Sequence, residues 1–302
     1  MNQTQKLGGA VVPLVTPVTA SGTLDEAALA SLIETQVAGG VEGLLLLGTT
    51  GEGPCVPRNM RRRVIEVAVA AARSRTLVYA NVAENSLADA IATAKEFFTA
   101  GASAIAALPP FYFAPREVEL VAWFRALLDA SPGPVVIYNI PLTTHVSIPL
   151  DVIAALVGHP RLVGIKDSEN DAERHEELLR RFSGRKDFSI FIGVGALMTQ
   201  GLRQGADGIV PSSGNLIPAV CQEQVNAARR GDWTAVETSG ARQAEVTAVY
   251  QRGRTLAQSL AALKGMLHHR GVTGAGVFAP LIAMSDVELA MLRADMVTAK
   301  LI

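Results

Sequence analysis

Residues 161–170 read RLVGIKDSEN: an apolar run from Leu162 to Ile165, then a lysine, then a polar turn. Seven other stretches share that form: AVVPLVT (10–16), GLLLLG (43–48), TLVYANV (76–82), SAIAALP (103–109), PVVIYNIP (134–141), FSIFIG (188–193) and DGIVPS (207–212). Each is short, rich in Val, Ile or Leu, and bounded by Gly, Pro or polar residues, as strands buried on both faces of a parallel sheet are. Amphipathic stretches separate them. Asp25 opens EAALASLIETQVAGG, and Ser86 opens LADAIATAKEFFTAG with Asp89 three residues on and Gly101 as its stop. Pro115 opens REVELVAWFRALLDA as a first-turn proline. Eight strands alternating with helices predict a (β/α)8 TIM barrel. A doubly wound dinucleotide fold would place GxGxxG after the first strand, where this chain has TPVTASG (16–22).

Beyond residue 214 the strand pattern gives way to helical periodicity over 219–230, 233–250, 256–270 and 287–299. The expectation is a barrel over 1–228 and a three-helix extension over 229–302. No linker rich in Pro, Ser or charge separates them, so the junction is expected to be close.

Composition narrows the function classes. The chain of 302 residues is 49% hydrophobic and 18% charged, with a formal net charge of −1, the balance of a globular protein with a sizeable core. Arg61, Arg62 and Arg63 form the densest basic cluster and read as a solvated helix face, so nucleic acid is not an expected partner. The segment MNQTQKLGGAVVPL lacks a signal-peptide core, and no run approaches the roughly 18 apolar residues that span a membrane. Cys55 and Cys221 lie far apart without metal-ligand spacing, which suits free thiols in a reducing cytoplasm. His268 and His269 are adjacent and point apart on a helix. Neither a metal nor an organic cofactor is expected.

The lysine that ends LVGIKD is the chemical signal. Lys6, Lys95, Lys186, Lys264 and Lys300 lie in a tail, a polar loop or helical patterns and suit surface ion pairs; only Lys166 terminates an apolar strand. By alternation it shares a face with Gly164 and Leu162, opposite Val163 and Ile165, with open space expected over Gly164. In such barrels, sites gather at the C-terminal strand ends. A desolvated lysine loses its proton more readily and becomes a nucleophile toward carbonyls. The bland alternative is an ion pair with Asp167 or Glu169. Tyr138, ending the neighbouring strand, is either a proton carrier or a core tyrosine. In GTTGEGP (48–54), two hydroxyls and backbone N–H groups, made flexible by Gly48, Gly51 and Gly53, form either a nest for a small carboxylate or an ordinary turn.

GTTGE (48–52), YNIP (138–141) and GIKDS (164–168) together resemble the dihydrodipicolinate synthase and N-acetylneuraminate lyase family, over nearly the whole chain. The resemblance implies a class I Schiff-base lyase or aldolase acting on pyruvate or a pyruvate-derived 2-oxo acid, without a cofactor. It implies Lys166 as the Schiff-base former and Tyr138 as the proton relay. Thr49 and Thr50, with Gly51, would be relay and carboxylate-binding residues, and Val210 would face the substrate through its backbone. It implies that Tyr112, in PPFYF, enters a neighbouring subunit's site, and hence a homotetramer built from dimers. The departures concern specificity. Synthases of dihydrodipicolinate carry an arginine after YN-x-P, where this chain has Thr143 in YNIPLTTH, and threonine lacks the bidentate fork that grips a carboxylate. Sugar-acid enzymes place acidic residues after strand seven, where IGVGAL has Val194 and Gly195. PPFYF with Thr143 and Thr144 resembles the 2-keto-3-deoxy sugar acid aldolases. The alternatives are dihydrodipicolinate synthesis, dehydration of a 2-keto-3-deoxy acid, non-catalytic 2-oxo-acid binding, and a phosphosugar barrel.

Overall fold

A computed structural model describes residues 6–302. Eight parallel strands close on themselves in chain order, β1 pairing with both β2 and β8. They are β1 (Gly9–Pro13), β2 (Gly43–Leu46), β3 (Leu77–Val82), β4 (Ala104–Ala107), β5 (Val135–Asn139), β6 (Leu162–Asp167), β7 (Ser189–Ile192) and β8 (Gly208–Ile209). The helices between them are α1 (Glu26–Ala38), α2 (Arg58–Ala72), α3 (Leu87–Thr99), α4 (Glu117–Ala130), α5 (Pro141–Thr144), α6 (Leu150–Leu156), α7 (Ala172–Phe182) and α8 (Met198–Arg203). After β8 come α9 (Pro218–Arg230), α10 (Trp233–Gln251), α11 (Leu256–His269) and α12 (Asp286–Thr298). The (β/α)8 barrel with C-terminal helices is thus the observed fold.

Two apolar layers hold it. Val11, Leu45, Tyr79, Ala106, Val136 and Phe191 fill the interior, while Leu44, Leu46, Ile105, Ile137, Ile165 and Ile190 face the helix ring. Tyr79 and Phe191 meet edge-on across the interior, their centroids 6.4 Å apart. Helix starts follow the local chemistry. Asp25 Oδ1 accepts the Ala28 N–H at 3.0 Å, and Ser86 Oγ accepts the Asp89 N–H at 3.3 Å. Gly101, at φ +98°, stands just past α3. Pro115 does not open its helix. The Glu119 carboxylate reaches back to the Arg116 N–H at 2.8 Å, which makes Arg116 the cap and leaves Pro115 outside.

α9 packs on β1 and α1 and carries α10, while α10, α11 and α12 pack on one another. The arginine cluster of α2 is ion-paired rather than free: Arg61 to Glu84, Arg62 to Glu66, and Arg63 to Glu26 and Glu66. Among the described residues no helix is long and apolar enough to cross a membrane.

Two expectations about β6 fail for one reason. The pairing with β5 shifts: Val135 opposes Leu162, but Val136 opposes Gly164. Val163 is therefore an extra residue, a bulge that breaks the alternation. Leu162 packs outward with Ile165, while Val163 packs against the interior. Nor is there open space over Gly164. A Cβ there would lie 2.5 Å from the Ser189 carbonyl oxygen, so the glycine admits the β7 backbone.

Candidate active site

Past the bulge, Lys166 takes the inward face of β6 and Asp167 the outward one. Lys166 opposes Tyr138 across β5 and β6, and its Nζ lies 3.6 Å from the centroid of the Tyr138 ring. Lys166 is 6% exposed and Tyr138 2%. Below them is an apolar hollow of about 20 Å³, room for roughly one water, walled by Val11, Leu45, Tyr79, Ala106, Val136, Phe191 and Val210. Burial in these surroundings pushes the Lys166 amine below the usual lysine range, and Tyr138 offsets this only in part. At the rim, the Tyr138 hydroxyl and the Thr49 hydroxyl are hydrogen-bonded at 3.3 Å. Amine, phenol and threonine are thus brought together from the ends of β6 and β5 and from the turn after β2.

Why Lys166 does not pair with the carboxylates beside it is visible on the opposite face. Asp167, fully buried, accepts hydrogen bonds from Asn139 Nδ2 at 3.2 Å, Arg174 Nε at 2.9 Å and the Glu169 N–H at 3.0 Å, and lies 3.3 Å from His175 Nε2. Glu169 is engaged by Arg174 at 3.2 Å, Ser147 Oγ at 2.7 Å and Asn139 Nδ2 at 3.0 Å. Burial alone would raise the Asp167 carboxyl, but the His175 hydrogen bond and the Arg174 charge bring it below the usual carboxylate range. Asn139 and Asp167 follow Tyr138 and Lys166 in sequence, so this network ties the ends of β5 and β6 together. Sequence reasoning missed it, because Arg174 and His175 come from the next helix.

The GTTGE turn is held differently from expectation. Gly48, Gly51 and Gly53 avoid positive φ; Leu47 (+59°) and Glu52 (+54°) adopt it instead. The glycines serve close approach: a Cβ on Gly51 would lie 2.8 Å from the Leu14 carbonyl oxygen, and one on Gly53 1.6 Å from that of Leu47. The turn closes through Glu52 N–H to Thr49 O at 3.1 Å and Gly53 N–H to Gly48 O at 3.0 Å, and Thr16 Oγ1 donates to Gly51 O at 2.7 Å. The N–H groups of Thr50 and Gly51 take no part in these bonds.

Val210 lines the hollow below Lys166, its N–H donated to Ile192 O at 2.9 Å. Two other expected residues are not brought to Lys166 within one chain. Tyr112 is 78% exposed and packs edge-on against Phe113, held by backbone bonds from Phe111 and Tyr112 to Asn85 Oδ1. Thr143, exposed on α5, turns its hydroxyl back to Ile140 O at 3.4 Å. A cleft of about 530 Å³ adjoins the barrel mouth between the β7 and β8 loops (Gly193, Val194, Gly195, Ser212) and α10 (Gln243, Thr247, Gln251), with Arg252 just past the helix end. Its α10 wall carried no signal in the sequence beyond helical periodicity.

The chain matches the model of the Dihydrodipicolinate synthetase family over residues 6–299. It belongs to that family. Similar chains include the 4-hydroxy-tetrahydrodipicolinate synthases of Phenylobacterium zucineum, 36% identical over 74% of this chain and 76% of that protein, and Xanthomonas campestris pv. campestris, 32% identical over 92% and 90%. Among solved structures, the dihydrodipicolinate synthase of Bacteroides thetaiotaomicron superposes with a TM-score of 0.92 at 29% identity, covering 99% of this chain and 100% of that one. The chloride-inhibited synthase of Acinetobacter baumannii, complexed with pyruvate, gives 0.91 at 26% identity, covering 98% and 100%. Members of the Dihydrodipicolinate synthetase family are pyruvate-dependent lyases and synthases that use a lysine Schiff base, and this chain is an enzyme of that class.

Proposed function

We propose that Lys166 forms an imine with pyruvate, or a pyruvate-derived 2-oxo acid, in a reversible aldol reaction with a hydroxylated aldehyde. The observation that carries this reading is the buried amine against the Tyr138 ring, whose hydroxyl continues to Thr49. The neutral amine attacks the ketone carbon. Tyr138 carries the proton between nitrogen and the carbinolamine oxygen, water leaves, and the protonated imine accepts the electron pair when a C3 proton or the adjacent carbon–carbon bond is lost. Thr49, Thr50 and Gly51 hold the carboxylate, and Val210 borders the substrate. Tyr112 reaches the site of a neighbouring subunit, in a homotetramer built from dimers. Its exposure beside the exposed Phe113 supports that placement. The free thiols Cys55 and Cys221 suit a cytoplasmic setting.

For the second substrate, the cleft wall of Ser212, Thr247 and Gln251 offers hydroxyl and amide groups suited to hydroxyls beside the Arg252 guanidinium, and position 143 offers no cation. A 2-keto-3-deoxy sugar acid fits these features. A second reading, condensation of pyruvate with aspartate semialdehyde, is supported by the names of the similar chains. Comparing kcat/KM for pyruvate release from a panel of 2-keto-3-deoxy acids with that for condensation decides between them. Preference for the sugar acids supports the first reading, and preference for the semialdehyde overturns it. Saturable pyruvate binding without turnover of any substrate would make the protein a 2-oxo-acid binder.

A further inference from the structure

Two opposite charges are buried where the C-terminal helices meet the barrel mouth. Lys264, expected on the surface from its helical pattern, is instead 0% exposed on α11, and Glu52, in the GTTGE turn, is 2% exposed. Their amine and carboxylate form an ion pair. The other carboxylate oxygen of Glu52 accepts the Phe278 N–H at 2.7 Å, and the Phe278 ring lies 5.6 Å from Lys264 Nζ. Both partners of this carboxylate thus come from α11 and the segment that follows it. Burial pushes the Lys264 amine down, and the Glu52 charge opposes that.

The backbone explains what such a pair is for. Leu47 and Glu52 bracket Thr49, Thr50 and Gly51, and both hold the left-handed conformation. Side-chain-bearing residues stay there only where the surroundings over-determine them. A buried ion pair is poor stabilisation compared with apolar residues of similar volume, and its best-attested use is to impose one arrangement.

We propose that Lys264 and the Phe278 N–H form a clamp through which the C-terminal helices set the conformation of residues 47–53, and with it the affinity for the substrate carboxylate. The inference rests on that turn holding the carboxylate. Lys264 is a positioning residue, acting on the substrate through Glu52. The helical extension is therefore part of the pyruvate site without touching pyruvate.

The test is the double variant Glu52→Gln/Lys264→Met, which removes both charges without orphaning either and keeps an acceptor for Phe278. In folded protein, we expect the pyruvate KM, and the pyruvate concentration for half-maximal borohydride trapping, to rise together by about tenfold or more, while kcat changes by less than about threefold. A purely structural pair would lower the melting temperature and leave half-saturation within about twofold of wild type, which overturns the proposal. Hydrogen exchange on the wild-type protein gives a reading that needs no variant. Pyruvate should slow exchange at the Phe278 amide and along α11 but not along α12, because coupling between sites is reciprocal. Unchanged exchange at Phe278 refutes the clamp even if the variant fails to fold. Should wild-type protein trap no pyruvate on Lys166, the functional reading fails first and the clamp falls with it.

Discussion

Replacing Tyr138 with Phe removes one oxygen and little else. The ring keeps its place under Lys166 Nζ, 3.6 Å from the centroid, and the side chain stays buried. What goes is the hydrogen bond to Thr49 at 3.3 Å and the proton carrier itself. One such bond contributes about 1 kcal/mol, and the half-buried Thr49 hydroxyl can turn to water. The melting temperature should therefore fall by only about 2–4 °C. General acid–base catalysis contributes about 10²–10⁴ in rate, or roughly 3–5 kcal/mol of barrier. The chemical effect thus exceeds the structural one several-fold. The assay is single-turnover imine formation, quenched with borohydride at successive times, beside steady-state kcat. Imine formation should slow by at least about 100-fold with half-saturation by pyruvate little changed. A variant that forms the imine within about fivefold of the wild-type rate would refute the relay, since water would then serve as well.

Lys166→Met should abolish turnover yet stabilise the fold. Because the folded amine titrates below its unfolded value, the unfolded chain binds more protons between the two, so wild-type stability rises with pH there and the variant's advantage shrinks toward about pH 10; denaturant titrations at pH 7 and pH 10 check the trend. Asp167→Asn should cost about 1–3 kcal/mol at neutral pH by removing the buried partner of Arg174, which keeps Glu169 at 3.2 Å. Since the folded Asp167 carboxyl is depressed, its contribution is present above the unfolded value and lost as pH falls below about 4, so urea titrations should show an acid limb that the variant lacks. Gly53→Ala forces a Cβ to within 1.6 Å of the Leu47 carbonyl oxygen unless the turn moves. The expected result is a pyruvate KM raised by about tenfold or more, read by steady-state kinetics, because misplacement by about an ångström has large effects on positioning.

What could be read from the sequence was whatever depends on near neighbours. The eight apolar runs predicted eight strands, and the capping residues Asp25 and Ser86 fell where helices start. That Lys166 and Tyr138 end neighbouring buried strands was legible because an ionisable or polar group closing an apolar run stands out from the pattern. Leu162 was assigned to the wrong face because a bulge at Val163 arises from pairing with β5, which a strict period of two cannot register. Gly164 and Gly53 were misread for a related reason. Glycine can mean free space, left-handed backbone or a close neighbour, and only the fold brings Ser189 and Leu47 against them. Lys264 had the sequence pattern of a surface lysine, and nothing local tells of a buried carboxylate 212 positions earlier in the chain, between residues 264 and 52.

The central claim is that one desolvated amine becomes the electrophile carrier for a 2-oxo acid. Incubation with pyruvate and borohydride, followed by peptide mass analysis, tests it most directly. The account predicts a reduced adduct on the peptide bearing Lys166 and none on that bearing Lys264, whose amine is also buried but held by Glu52. Adduct on another lysine, or none at all, would contradict it.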